Sequence, residues 1–88
     1  MANNNTFNGW ANYATWNVAL YINNDYAVYQ FATAWVKLQE RLCNPIHYVN
    51  FVDGLVDMIG PRTADGVDYN DPTLCYNELD EMLEELIA

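Results

Sequence analysis

The sequence has no serine, one histidine, His47, and only three cationic side chains, Lys37, Arg41 and Arg62. Each scarcity excludes something. Without serine there is no Gly-x-Ser-x-Gly nucleophile elbow, and the four glycines form no phosphate-cradling loop. Catalysis needs a nucleophile or base held by an orienting partner, and no such constellation is legible, so the expectation is that the chain is not an enzyme. Three cations are too few to neutralise a run of phosphates, which argues against direct nucleic-acid binding. The two cysteines, Cys43 and Cys75, match neither a Cys-x-x-Cys pair nor a zinc-ligand spacing and read as reduced thiols, with no metal and no cofactor expected. No apolar run approaches the roughly 20 residues that span a bilayer, and the Met-Ala-Asn-Asn-Asn start lacks the basic and apolar regions of a secretory signal. A cytoplasmic protein with no membrane partner is expected.

What is present is acid and aromatic surface. The formal net charge is −9, and its distribution is lopsided. Residues 1–52 balance Asp25 and Glu40 against Lys37 and Arg41, whereas residues 53–88 set ten acids against Arg62 alone. Such a field favours a basic protein partner. Three Trp, seven Tyr and three Phe supply large apolar area to a chain of 88 residues, which has room for a single core. The reading is a loose N-terminal arm over 1–14, containing Asn3, Asn4, Asn5, Asn8 and Gly9 and becoming ordered near Trp10 and Tyr13, followed by one acidic helical domain over 15–88.

Four helices are predicted. Thr15 caps the first, over 16–23, whose residues are apolar on nearly every side. Asp25 caps the second, over 26–42, where Val28, Phe31, Trp35, Leu38 and Leu42 recur at three- and four-residue spacings as a core-facing stripe. Ala27, Ala32 and Ala34 allow close approach there. Fully buried, the Trp35 ring would cost roughly 3–5 kcal/mol on truncation to alanine. Cys43 and Asn44 end this helix, and Pro45 starts the third, over 45–59, with Ile46, Val49, Val52, Leu55, Val56 and Ile59 inward. Gly60 and Pro61 stop it. A loop with an Asp65-Gly66 turn follows, then Asp71 and Pro72 start the last helix, over 72–87, with Leu74, Cys75, Leu79, Met82, Leu83 and Leu86 inward. Short connections make this an all-α, mostly antiparallel arrangement with no sheet.

Two candidate chemistries reduce to structural roles. Asp65, Asp68 and Asp71 lie three apart, unlike an EF-hand loop, and read as turn and cap residues. His47 has Asp53 and Asp57 on its predicted helix but no further catalytic partner. Two binding surfaces remain. One is an aromatic patch around Trp10, Tyr13, Tyr26 and Tyr29, because Tyr and Trp suit interfaces with an apolar body and a polar tip. The other is an acidic face on the last helix, with Glu78, Glu81 and Glu85 on one side and Asp80 and Glu84 flanking the other.

The stretches Asn12-Tyr13-Ala14-Thr15-Trp16-Asn17-Val18-Ala19-Leu20-Tyr21-Ile22-Asn23-Asn24-Asp25 and Thr63-Ala64-Asp65-Gly66-Val67-Asp68-Tyr69-Asn70-Asp71, leading into Glu78-Leu79-Asp80-Glu81-Met82, resemble a family of small proteins of bacteriophages, plasmids and some bacteria. Its signature runs approximately Asn-Tyr-x-Thr-Trp-Asn-Val-Ala-Leu-Trp near the start and Thr-x-Asp-Gly-Val near the end. Tyr21 replaces the second Trp, and Ala14 stands where Glu is common. The resemblance implies a phage-like origin and no site residues. The expectation is therefore a non-enzymatic intracellular protein-binding module that inhibits or redirects a host protein bearing a basic surface. A homo-oligomeric structural protein, with a homodimer as its simplest form, and an acidic nucleic-acid mimic competing for a DNA-binding protein are the alternatives.

Overall fold

A computed structural model describes residues 6–87; the asparagines at positions 3, 4 and 5 read as part of the loose arm lie outside them. The chain forms four helices, α1 (Tyr13–Asn24), α2 (Tyr26–Arg41), α3 (Tyr48–Ile59) and α4 (Tyr76–Glu85), with no strand longer than an isolated bridge among the described residues. Helix α1 packs on α2 and α4, α2 on α3 and α4, and α3 on α4. The core gathers Val18 and Ile22 from α1, Val28, Ala32 and Val36 from α2, Phe51 and Leu55 from α3, and Leu79 and Leu83 from α4, all essentially inaccessible to solvent.

The starts of α1, α3 and α4 differ from the sequence expectation, two for local reasons and one through a side chain on another helix. Helix α1 begins two residues before Thr15. Asn12 is its cap, and Asn12 Oδ1 accepts both the Thr15 N–H at 2.9 Å and the Thr15 hydroxyl at 2.7 Å. Thr15 is thereby free to accept the Cys75 N–H at 2.9 Å, holding the residue that precedes α4. Helix α3 starts at Tyr48 rather than Pro45. His47 contributes no side-chain cap, and the Tyr48 N–H instead donates to Asp80 Oδ1 on α4 at 2.6 Å. Helix α4 starts at Tyr76 rather than Pro72, because Asp71 closes a separate turn on Thr73 and Leu74. Only Asp25 caps as expected, its Oδ1 accepting the Val28 N–H at 3.2 Å.

The buried seam of α2 lies one step around from the predicted stripe. Val28, Ala32 and Val36, each four apart, face the core; Phe31 and Trp35 are half-buried, and Leu38 and Leu42 are exposed at 44% and 56%. Full burial of Trp35 is thus not met. Its ring meets Phe51 edge-on at 5.3 Å between centroids. The small Ala32 is wholly inaccessible within the seam, while the bulky Phe31 and Trp35 pack on its flank. On α3 the core positions are Tyr48, Phe51, Val52 and Leu55, while the expected Val49 and Ile59 remain exposed. Gly54 leaves room for the Phe31 ring, whose Cζ would lie 3.1 Å from an added Cβ.

Candidate functional site

Two arrangements compete as sites, and their side chains decide between structural duty and free chemistry. The first joins α1 to the 60–75 loop. Asn17, wholly buried on α1, accepts the Thr63 hydroxyl at 2.6 Å through Oδ1 and donates through Nδ2 to Asp65 Oδ2 at 2.8 Å. Asn12 Nδ2 donates to the Thr73 carbonyl at 2.6 Å, and Thr15 holds Cys75 as described. The loop is closed by Gly66, whose N–H donates to the Thr63 carbonyl at 2.9 Å and whose φ of +90° suits glycine. Asn12, Thr15 and Asn17 of the first signature stretch thus all bond to the 60–75 loop, which carries the second. The two stretches are halves of one non-local lock. Val18 and Ala19 enter the core, while Tyr13 and Trp16 pack with Phe7 at centroid distances of 5.4 and 4.8 Å. This lock leaves no group of its own unsatisfied: no buried side-chain polar atom lacks a partner among the described residues.

Aspartates 65, 68 and 71 follow the same logic. Asp65 receives Asn17, Asp68 Oδ1 accepts the Asn70 N–H at 2.7 Å, and Asp71 Oδ1 accepts the Thr73 N–H at 2.8 Å. The bonds from Thr73 hold the Asp71 carboxyl below the usual carboxylate range. Nearby, burial raises the Tyr21 hydroxyl above the ordinary phenol value, and the neighbouring Asp65 carboxylate adds to that rise. His47 Nδ1 lies 3.0 Å from Asp80 Oδ2, at the start of α3 rather than beside Asp53 and Asp57. Among the described residues no three His, Cys, Asp or Glu side chains group as metal ligands, and both cysteines are free thiols.

The second arrangement is an open groove of about 470 Å³ between the N-terminal arm, the ends of α1 and α2 that meet at Asp25, and α4. Its arm wall is a tight turn. Phe7 and Trp10 exchange both backbone hydrogen bonds at 2.8 Å, and Asn8 and Gly9 take positive φ of 49° and 88° between them. That is the geometry Asn-Gly favours, because both central residues must tolerate a left-handed conformation. The arm is then tied to α4 by the Ala11 N–H, which donates to Glu78 Oε1 at 2.8 Å. Trp10 and Tyr29 supply rings to the groove, Met82 and Leu86 an apolar floor, and Glu78, Glu81 and Glu85 carboxylates along one side. The acids occupy one face because a three-then-four spacing returns to the same side of a helix.

Five of the nine predicted binding residues therefore share one groove: Trp10, Tyr29, Glu78, Glu81 and Glu85. The other four do not line it. Tyr13 belongs to the Phe7 cluster; Tyr26 is 73% exposed, and its hydroxyl accepts Gln30 Nε2 at 2.8 Å; Asp80 caps α3; Glu84 projects into solvent. The sequence does not point to Gly9 or Asn23 as lining residues and assigns Met82 and Leu86 to the core alone, although the Asn8-Gly9 pair between Phe7 and Trp10 is a readable turn signal. None of Lys37, Arg41 and Arg62 forms an ion pair among the described residues, so the groove carboxylates are not neutralised from within them. The arrangement suits a cation. Ring faces attract a guanidinium or ammonium group, carboxylates pair with it, and the apolar floor accommodates its alkyl stem.

A family model described as a family of unknown function, DUF7249, matches residues 3–88, and the chain belongs to that family. No curated protein and no solved structure matches it.

Proposed function

We propose that the chain is a non-enzymatic protein-binding module that seats a basic segment of a partner protein in the groove between the arm, α2 and α4. One observation carries the reading. The aromatic and the acidic surfaces, separate in the sequence, converge at Trp10, Tyr29, Glu81 and Glu85, and no cation of the described chain occupies the place between them. The phage resemblance makes that partner a host protein, held stoichiometrically in the host cytoplasm and thereby inhibited or redirected. A small acidic chain needs no turnover to act in this way, and its field speeds encounter with a basic surface. The nucleic-acid mimic draws less support, because Glu78 and Asp80 are engaged internally and the row of freely exposed acids on α4 shortens to Glu81, Glu84 and Glu85.

The test is recovery of a partner from host lysate with the wild type, a Glu81→Lys/Glu85→Lys variant and a Tyr29→Ala variant, each checked for native helicity. A single saturable partner lost by both variants supports the reading. A partner retained by both, or none from suitable hosts, refutes it. Glu78 is left intact in this comparison because it also holds the arm.

A further inference from the structure

The stripe that the sequence assigns to the core, and that the structure leaves on the flank of α2, is a face of defined geometry. Phe31, Trp35, Leu38 and Leu42 follow a four-three-four spacing, the repeat by which one helix packs along another at a shallow angle. Among the described residues only the upper half of this face is covered, where Phe31 and Trp35 meet Phe51 of α3. Leu38 and Leu42 have no such cover. The geometry points to a second copy of this chain as the occupant: two α2 helices pack antiparallel through Trp35, Leu38 and Leu42 to form a homodimer.

Charge selects this face over the others. Two chains of formal charge −9 repel, and the ten acids of residues 53–88 would oppose one another wherever that part of the surface met its copy. From Tyr26 to Pro45 the chain instead carries Lys37 and Arg41 against Glu40 alone, and the residues bordering the stripe, Ala34, Gln39 and Arg41, include no acid. Two copies meeting here bring no carboxylate against a carboxylate at the centre of the contact. Small neighbours such as Ala34 let the helix axes approach closely. The area is modest, since two leucines and part of one indole ring per chain fall short of the roughly 800 Å² per partner of a standard interface, so the dimer is reversible.

The dimer leaves the groove open. With 3.6 residues per turn, Tyr29 projects well around the α2 axis from Trp35 and Leu38, on the far side of the buried Val28–Ala32–Val36 seam. Two grooves then face outward from one particle, and two basic segments on a single partner would be held with an effective concentration neither groove achieves alone.

The experiment is sedimentation equilibrium of the full chain from about 1 µM to about 500 µM, a range that brackets weak association. The wild type is expected to rise from the mass of one chain towards twice that mass. Leu38→Glu/Leu42→Glu, whose changes fall at exposed positions and whose helicity is checked by circular dichroism, is expected to stay at one chain throughout. Tyr26→Glu, on the other side of α2, is expected to dimerise as the wild type does. Raising salt strengthens this association by screening the repulsion, the opposite of its effect on a cation in the groove. A wild type that remains a single chain throughout overturns the inference, as does a dimer that survives the Leu38→Glu/Leu42→Glu change.

Discussion

Replacing Asn17 with alanine removes the central pair of bonds between α1 and the 63–67 turn, and the structure sets the size of the loss. Thr63 is 5% exposed, and its hydroxyl donates to Asn17 Oδ1; with that acceptor gone, a buried donor is left without a partner at a cost of about 1–3 kcal/mol. The bond from Asn17 Nδ2 to Asp65 is charge-assisted, but Asp65 is exposed and regains water, so its loss adds about 1 kcal/mol. Together Asn17→Ala should destabilise by about 2–4 kcal/mol, measured by urea denaturation followed by circular dichroism. Asn17→Asp keeps the shape but sets a carboxylate against Asp65, and should cost more at neutral pH. Like charge and burial raise the native-state titration of this new pair above the value of about 3.9 for an unfolded Asp. A raised native value means the protonated pair is favoured by folding, so the penalty shrinks as pH falls from about 7 to about 4. Adding Asp65→Asn to Asn17→Asp restores a donor facing an acceptor and should recover about 2 kcal/mol of the loss. A change below about 0.5 kcal/mol for Asn17→Ala, or no recovery in the swapped pair, would refute the lock.

Alkaline pH should unfold the protein. Burial raises the Tyr48 and Tyr69 hydroxyls above the ordinary phenol value, so the unfolded chain releases these protons first and stability falls as pH climbs beyond about 10; Tyr48→Phe should flatten that decline in thermal melts while losing about 1 kcal/mol with the bond to the Tyr69 carbonyl. Asp80→Ala should destabilise by about 1–2 kcal/mol through loss of the cap on Tyr48, whereas Glu84→Ala should remain within about 0.5 kcal/mol in the same urea titration. Trp35→Ala should cost less than a fully buried ring, about 2 kcal/mol, because its indole lies at the edge of the core; a loss above about 4 kcal/mol would return it to the centre.

The helical class was legible because spacings of three and four residues recur through Val28–Leu42 and Leu79–Leu86, and because Asp25, Asn44 and Gly60 punctuate them. The phase of α2 was not. Leu38 and Leu42 outweigh Ala32 and Val36 in hydrophobicity, yet the buried positions belong to the smaller pair, and that phase follows from how α2 is seated among the other helices rather than from its own pattern. The starts of α3 and α4 escape prediction for a related reason. Asp80 caps α3 from another helix and Thr15 holds the residue before α4, partners 32 and 60 positions away that no local window contains. The site was legible in part. Periodicity placed Glu78, Glu81 and Glu85 on one face, but their meeting with Trp10 depends on the arm folding back onto α4 through Ala11 and Glu78, and their meeting with Tyr29 on the packing of α2 against α4. Asn17 was readable as a signature residue and not as a buried one, since its partners lie at Thr63 and Asp65.

Whether the groove receives a cation between its rings and its free carboxylates is read by a nuclear magnetic resonance titration with a short arginine-bearing peptide. The chain has three indole N–H groups, those of Trp10, Trp16 and Trp35, which report separately. A saturable shift of the Trp10 indole is expected with Trp16 and Trp35 little changed, weakened several-fold as ionic strength rises from about 0.02 M to about 0.3 M and abolished by Glu81→Gln/Glu85→Gln. No saturable shift at Trp10, or an equal shift in the charge-neutralised variant, would contradict it.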